Sequence, residues 1–354
     1  MSSFALYRLP LQQQALWIEQ TEGLPTELTT CSELNGRQGF VVAPFVTSTE
    51  HPILLIHPDR MAICSTNNLA DGLGDAATTI LKAEEAANHP WTGNSGQTAE
   101  ENYRRDFALF HNHLAGGDFQ KIVLSRCEQL PRSHATSPLQ LFSNACQRYP
   151  KLFIALVYTP KSGLWLTATP EVLLESDGPQ WCTIALAGTM RANRQEEAIW
   201  SKKNRDEQQI VATYIKDCLQ GLKATNISQE GPRTVSAANL LHLRTDFFFQ
   251  MGDDGKVGDL LQALHPTPAV CGLPKQEALQ FIVANEHTPR LYYSGFMGPL
   301  ALDSATHLFV SLRCMQITST HYRLYAGGGL LPESNEKQEW METEAKLDTM
   351  RQCL

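Results

Sequence analysis

The chain has 354 residues, enough for one large domain or two ordinary ones with an ample core. Its 42% hydrophobic and 19% charged content is that of a soluble globular protein, and a formal charge of −8 argues against nucleic acid or an anionic membrane surface as the main partner. Nine cysteines without a CxxC pair fit neither a disulfide framework nor a zinc site. No stretch reaches the ~18 to 20 apolar residues of a membrane span, so a reducing, cytoplasmic setting is expected.

Residues 1 to about 82 mix short apolar runs, such as those at 40–42 and 52–56, with turn residues, and carry no chemical motif. Residues 83–102 are polar and small, with His89-Pro90 and Gly93-Asn94-Ser95-Gly96 among them, and read as an exposed connection. The chain therefore divides into a variable 1–99 part and a working 100–354 part. A helix is predicted over 100–114, closing at Gly116-Gly117, then strands at 119–126, 152–158, 163–168, 171–176 and 181–187. A long helix over 204–222 turns Val211, Tyr214, Ile215, Cys218 and Leu222 inward. A polar link follows, then helices at 256–264 and 275–284 around a proline-rich turn, and strands at 291–297, 307–317 and 322–326. Gly327-Gly328-Gly329 reads as a turn, and a last helix starts near Glu336, where Asn335 and Gln338 resemble a capping box. Strands and helices alternating in clusters indicate an α+β or mixed α/β fold with large sheets.

Several polar residues stand out against this frame. Lys121 shares a strand face with Phe119 and Val123, and is either an edge gatekeeper or a buried amine able to accept a proton. Glu171 precedes an apolar strand; facing solvent it is a turn residue, and in an apolar pocket it becomes a proton donor near neutral pH. Glu207 falls on the inward face of its helix, and is either an exposed first-turn acid at a frayed end or a buried one that needs a cation. Glu339, Glu342 and Lys346 line one stripe of the last helix. Either the acids complement the helix dipole, or they and Glu207 share a hard divalent ion. Arg313, in an apolar strand, is equally suited to a structural salt bridge and a carboxylate clamp. His265 lies in a rigid segment that is either only a tight loop or one placed to meet a ligand, while Gly188, Thr189 and Gly327 are either ordinary turn and strand residues or donors to an anion.

Taken in order, FQKIVLSR, TPEVLLE, ALAGTMR, KNRDEQQIV, LHPTPAVCG, YYSGFMG, LFVSLR and YAGGGLLPESNEKQEWMETEAKL closely resemble the chorismate-utilising enzymes, specifically the isochorismate synthases, over about residues 100–354. The resemblance implies a single large domain with two large, mainly antiparallel sheets flanked by helices. It implies that Lys121 is the general base for water and Glu171 the general acid. Glu207 and Glu342 would bind Mg²⁺, with Glu339 close by through water. Gly188, Thr189 and Lys346 would meet the ring carboxylate, His265 the ring, and Tyr293, Arg313 and the Gly327 amide the enolpyruvyl carboxylate.

Related anthranilate synthases typically carry glutamine where this chain has Lys121, which makes water the expected nucleophile here. The expected activity is Mg²⁺-dependent conversion of chorismate to isochorismate, an isomerisation serving menaquinone or siderophore biosynthesis, by a monomer. Salicylate synthesis and non-catalytic chorismate binding are the alternatives. Asn204, Gln208 and Gly328 depart from the family's usual acid, histidine and alanine at those places.

Overall fold

The computed structural model describes residues 2–66, 68–87, 98–133, 135–191, 198–252 and 256–354. Its frame is two nine-stranded sheets, with every pairing antiparallel among the described residues. Across its width the first sheet runs Gly272–Leu273, Lys121–Pro131, His321–Leu330, Cys314–Ile317, Gly163–Thr169, Phe153–Thr159, Ser3–Arg8, Gln14–Gln20 and Arg60–Ser65. The second runs Thr225–Ala237, Leu240–Gln250, Gln180–Met190, Val172–Asp177, Ala305–Val310, Phe296–Leu300, Gly39–Ala43, Ile53–Ile56 and Thr26–Leu28. Residues before 66 thus contribute three strands to each sheet.

Strand alternation sends one face of each sheet into a shared apolar layer that includes Tyr7, Phe40, Val157, Trp165, Ile184 and Tyr325. Phe153 of the first sheet stacks on Phe309 of the second, ring centroids 4.2 Å apart, which pins the layers together. The outer face of the first sheet is covered by the helices Ala76–Ala86, Pro138–Arg148 and Glu336–Arg351, and that of the second by Lys202–Gly221 and Val257–Leu264. Helices Ala99–Gly116 and Lys275–Asn285 pack Phe110 and Ile282 against Ile122 and Leu124 at one end of the first sheet.

Local chemistry sets the ends of the helices that matter for the site. Ser201 accepts from the Asn204 amide at 3.1 Å and starts Lys202–Gly221, two residues before the expected start. Asn335 accepts from the Gln338 amide at 3.2 Å and starts the last helix at Glu336, as its sequence predicts. Thr98 and Glu101 form a reciprocal capping box, and Gly117, at φ +84°, ends that helix.

Four expectations are corrected. The run 307–317 is not one strand: Ala305–Val310 belongs to the second sheet and Cys314–Ile317 to the first, and the chain changes sheets between them with Arg313 at φ +46°. Gly327-Gly328-Gly329 is not a turn but the continuation of His321–Leu330, paired with Ser125, Leu124 and Val123. The polar link after residue 222 is a long hairpin, Thr225–Ala237 with Leu240–Gln250. The strand expected at 291–297 begins only at Phe296, because Leu291 and Ser294 adopt positive φ. In addition, the exposed connection expected over 83–102 is helical at both ends, in Ala76–Ala86 and Ala99–Gly116, with Ala83 buried, while its middle, with His89-Pro90 and Gly93-Asn94-Ser95-Gly96, falls outside the described residues.

Candidate active site

Lys121 begins its strand with a side chain fully shielded from solvent, so it is a buried amine and not an edge gatekeeper. Its Nζ lies 3.0 Å from Glu207 Oε1, an ion-pair contact that falls short of hydrogen-bond alignment. Glu207 reaches it from the first turns of Lys202–Gly221, on the same buried face as Val211 and Ile215. Burial alone would raise the Glu207 carboxyl, but Lys121, Lys203 and Lys346 outweigh it and hold the group below its ordinary range. The pair fits because residue 329 has no side chain: a Cβ there would overlap Glu207 Oε1 and come within 2.7 Å of Lys121 Cε.

Next to this pair lies a cavity between the sheets. Glu171, Gly188, Thr189, Glu207, Tyr293, Arg313, Gly327 and Lys346 all line it, so eight of the twelve residues singled out in the sequence converge on one space. Glu171 stands just before Val172–Asp177, only 3% exposed. Burial pushes its carboxyl up to about 8, against the pull of Lys121, Lys346 and Arg313. It is therefore a neutral proton donor at neutral pH.

Arg313 enters from the crossover between sheets. Its Nη1 donates to Ala237 O at 2.8 Å and its Nη2 contacts His242 Nε2. The His242 Nδ1 faces Gly188 O at 3.1 Å, so that nitrogen carries the hydrogen and Nε2 offers its lone pair to the guanidinium. Burial first, then Arg313 and Lys346, keep this imidazole neutral. His242 lines the cavity too and was missed in the sequence, because its strand Leu240–Gln250 was read as a link. The signal was there in Leu241, Leu243 and the Phe247–Phe249 run. Gly188 forms a bulge at φ +71°, and a Cβ there would press within 3.0 Å of Asn204 O at the helix start.

Gly327 leaves room for Tyr293, whose hydroxyl would lie 2.7 Å from a Cβ at that position. Lys346 Nζ donates to Gly327 O at 2.7 Å and to Glu342 Oε1 at 2.8 Å. Glu339 and Glu342 line an adjoining cavity that shares Thr189 with the first. Glu339 is ion-paired to Lys203 through Oε1, while its buried Oε2 has no aligned hydrogen-bond partner among the described residues. Burial raises this carboxyl and Glu342 adds to the effect, against Lys203.

Each of the three acids thus meets a lysine, and among the described residues no three carboxylate, histidine or cysteine side chains close into a ready-made metal cage. The donor set still suits a hard cation. The orphaned Glu339 Oε2 and the Glu342 Oε1 lie within 3.4 and 3.8 Å of one point, where a Gly328 Cβ would stand, and all offered atoms are carboxylate oxygens.

His265 does not join this assembly. It lines a separate pocket, and the later residues of its loop, Ala269 and Val270, form the cavity wall instead. Gln208, which follows the buried glutamate, donates to Thr245 Oγ1 at 2.7 Å and serves packing of helix on sheet.

A buried acid and a buried arginine on a cavity between two antiparallel sheets, with a buried lysine–glutamate pair at its edge, agree with what the sequence comparison adds, for residues 52–354 match the family described as chorismate binding enzyme. The chain belongs to that family. As a chorismate-binding enzyme it is 30% identical to the isochorismate synthase EntC of Escherichia coli K12 over 238 residues, 65% of this chain and 61% of that one. It is also 30% identical to the salicylate biosynthesis isochorismate synthase of Pseudomonas aeruginosa over 278 residues, 75% of this chain and 58% of that one. The matches thus span about three fifths of these curated relatives, 61% and 58% of their length. The structure of MenF, the menaquinone-specific isochorismate synthase from Escherichia coli, superposes with a TM-score of 0.78 at 22% identity, covering 100% of this chain and 89% of that one. The chorismate-binding fold is therefore shared over the whole chain.

Proposed function

We propose that this protein is a Mg²⁺-dependent isochorismate synthase. The observation that carries the reading is the neutral Glu171 carboxyl facing the same cavity as the Glu207 carboxylate, behind which the buried Lys121 amine lies at 3.0 Å. Glu171 can release a proton, and Lys121 can take one once Glu207 is engaged elsewhere, as exchange of a hydroxyl between two carbons of a ring requires. The likeness to EntC and to the Pseudomonas aeruginosa enzyme supports the same reaction.

In this reading Lys121 removes a proton from water as it adds to C2 of chorismate. The double bonds shift, the C4–oxygen bond breaks, and Glu171 protonates the departing oxygen, so one water enters and one leaves. For Lys121 to accept a proton its amine must be uncharged. The ionised Glu207 oxygen at 3.0 Å opposes this, so the base role requires Glu207 to be engaged elsewhere in the loaded enzyme. Arg313, held by His242 and Ala237, and Tyr293 beside Gly327 bind the enolpyruvyl carboxylate. Gly188, Thr189 and Lys346 meet the ring carboxylate. Glu207, Glu342 and Glu339 would hold Mg²⁺, which when bound supplies positive charge for the ring carboxylate and for electron flow through the ring.

Incubating purified protein with chorismate and Mg²⁺ and separating the products tests this directly. Isochorismate alone, lost on adding a chelator, is the expected result. Salicylate without a second enzyme, anthranilate with ammonia, or chorismate binding with no product would each replace the assignment. The supply of isochorismate to menaquinone or siderophore synthesis, and action as a cytoplasmic monomer, belong to the same proposal.

A further inference from the structure

The three lysines that meet Glu207, Glu339 and Glu342 are not held alike. Lys121 is fully shielded from solvent, so its amine has no direct way out to water. Lys346 is fastened to the Gly327 carbonyl as well as to Glu342. Lys203 differs from both. Its ammonium has Glu339 Oε1 as its one hydrogen-bond partner among the described residues, and 21% of its side chain is open to solvent.

The place of Lys203 in the fold explains the contact. Lys203 and Glu207 stand four residues apart on Lys202–Gly221, one above the other on the same side of that helix. Glu339 belongs to the first turn of Glu336–Arg351, so this ammonium bridges the two helices that carry the acids. With Glu339, Glu342 and Thr189 it lines the adjoining cavity. Burial weighs against its charge, but Glu339 first, then Glu207 and Glu342, outweigh it, so Lys203 is a cation. The carboxylate that it holds turns its other oxygen to within 3.4 Å of the point over Gly328 that Glu342 Oε1 approaches at 3.8 Å. A divalent ion on those oxygens would share Glu339 with the ammonium. Two cations on one carboxylate repel, and the less fastened of them yields.

We propose that Lys203 is a built-in counter-ion, which neutralises Glu339 in the metal-free chain and must release it for a divalent ion to bind, so that this lysine lowers the metal affinity of the site. The inference rests on the reading that Glu207, Glu339 and Glu342 hold Mg²⁺. On release the ammonium swings to its solvent-open side and only the ion pair is broken. Glu339 is then free to offer both oxygens, and its buried charge passes from one cation to the other without a stage at which it stands alone.

Mg²⁺ alone, titrated calorimetrically into the full chain without chorismate, tests this. Lys203→Met should bind Mg²⁺ at least about tenfold more tightly than the unaltered protein, and Lys203→Arg, which keeps a cation there, should bind as the unaltered protein does. Without Mg²⁺, Lys203→Met should melt below the parent, because Glu339 is left buried without its nearest cation, and saturating Mg²⁺ should close the gap. A readout on the unaltered chain does not depend on the variants folding: acetylation of accessible amines, read by mass spectrometry, should rise several-fold at Lys203 on adding Mg²⁺ and stay absent at Lys121. Mg²⁺ binding that is equal or weaker in folded Lys203→Met, or Lys203 acetylation unmoved at saturating Mg²⁺, overturns the counter-ion role and leaves the metal reading standing. No Mg²⁺ binding to any of the three proteins, even with chorismate present, overturns the metal reading and this inference together.

Discussion

Lys121 and Glu207 meet at 3.0 Å in a space closed to solvent on the amine side, and they can do so only because residue 329 has no side chain. A strand from one sheet and a helix lying on the other supply the two partners. Each depends on the other for charge balance, so removal of either is felt in stability as well as in turnover.

Lys121→Gln is expected to abolish water addition while chorismate still binds. It also leaves Glu207 buried without its nearest cation, at a cost of about 3 to 5 kcal/mol. Adding Glu207→Gln to it should recover most of the melting temperature and none of the activity. Unchanged turnover in Lys121→Gln removes the lysine from the chemistry.

Glu171 makes a prediction in pH. With its carboxyl at about 8, kcat/KM should fall as pH rises past that value, and Glu171→Gln should be inactive throughout. The stability effect has a definite sign. The folded group titrates above the ordinary 4.5, so its contribution is complete below 4.5 and is lost as pH rises to about 8. Glu171→Gln should therefore exceed the parent in melting temperature at pH 8 to about 9, and the gap should close towards pH 4.5. A constant gap across that range would show that Glu171 does not titrate as described.

The glycine strand permits a paired test. Gly329→Ala puts a methyl into Glu207 and Lys121, and should cost about 1 to 3 kcal/mol of stability and most of the activity. Gly328→Ala, its neighbour, meets its nearest atom, Glu339 Oε2, at 3.4 Å and should leave stability within about 0.5 kcal/mol. Equal effects at both positions would mean that the close approach at Gly329 is not what excludes a side chain there.

His242→Leu removes the acceptor for Arg313 Nη2 in a buried setting, a loss of about 1 to 3 kcal/mol in the placement of the guanidinium. KM for chorismate should rise about tenfold or more, with a smaller change in kcat. His242→Gln, which keeps an acceptor, should recover part of the loss. Steady-state kinetics on the two variants separates this role from a purely structural one, which would leave KM unchanged.

Much of the site was legible because its chemistry conflicts with its surroundings. A lysine in a strand, a glutamate on an inward helix face and paired acids on the last helix each violate local expectation, and all three belong to the assembled site. What escaped was what depends on tertiary contact. The crossover at 311–313 is invisible in an apolar run that suits one strand as well as two. The three glycines fit a turn as readily as a strand crowded by Tyr293 and Glu207. His265 satisfied every local criterion for a ligand contact, and only the direction of its loop placed it elsewhere.

The change of sheet at Arg313 couples the two packed sheets at one residue. The strands before and after it, Ala305–Val310 and Cys314–Ile317, belong to opposite layers, so a sideways slip of one layer over the other would drag the guanidinium away from Ala237 and His242. Loosening the stacked Phe153 and Phe309 rings, far from any reacting atom, is thus a route to poor substrate grip with the proton-transfer groups left intact.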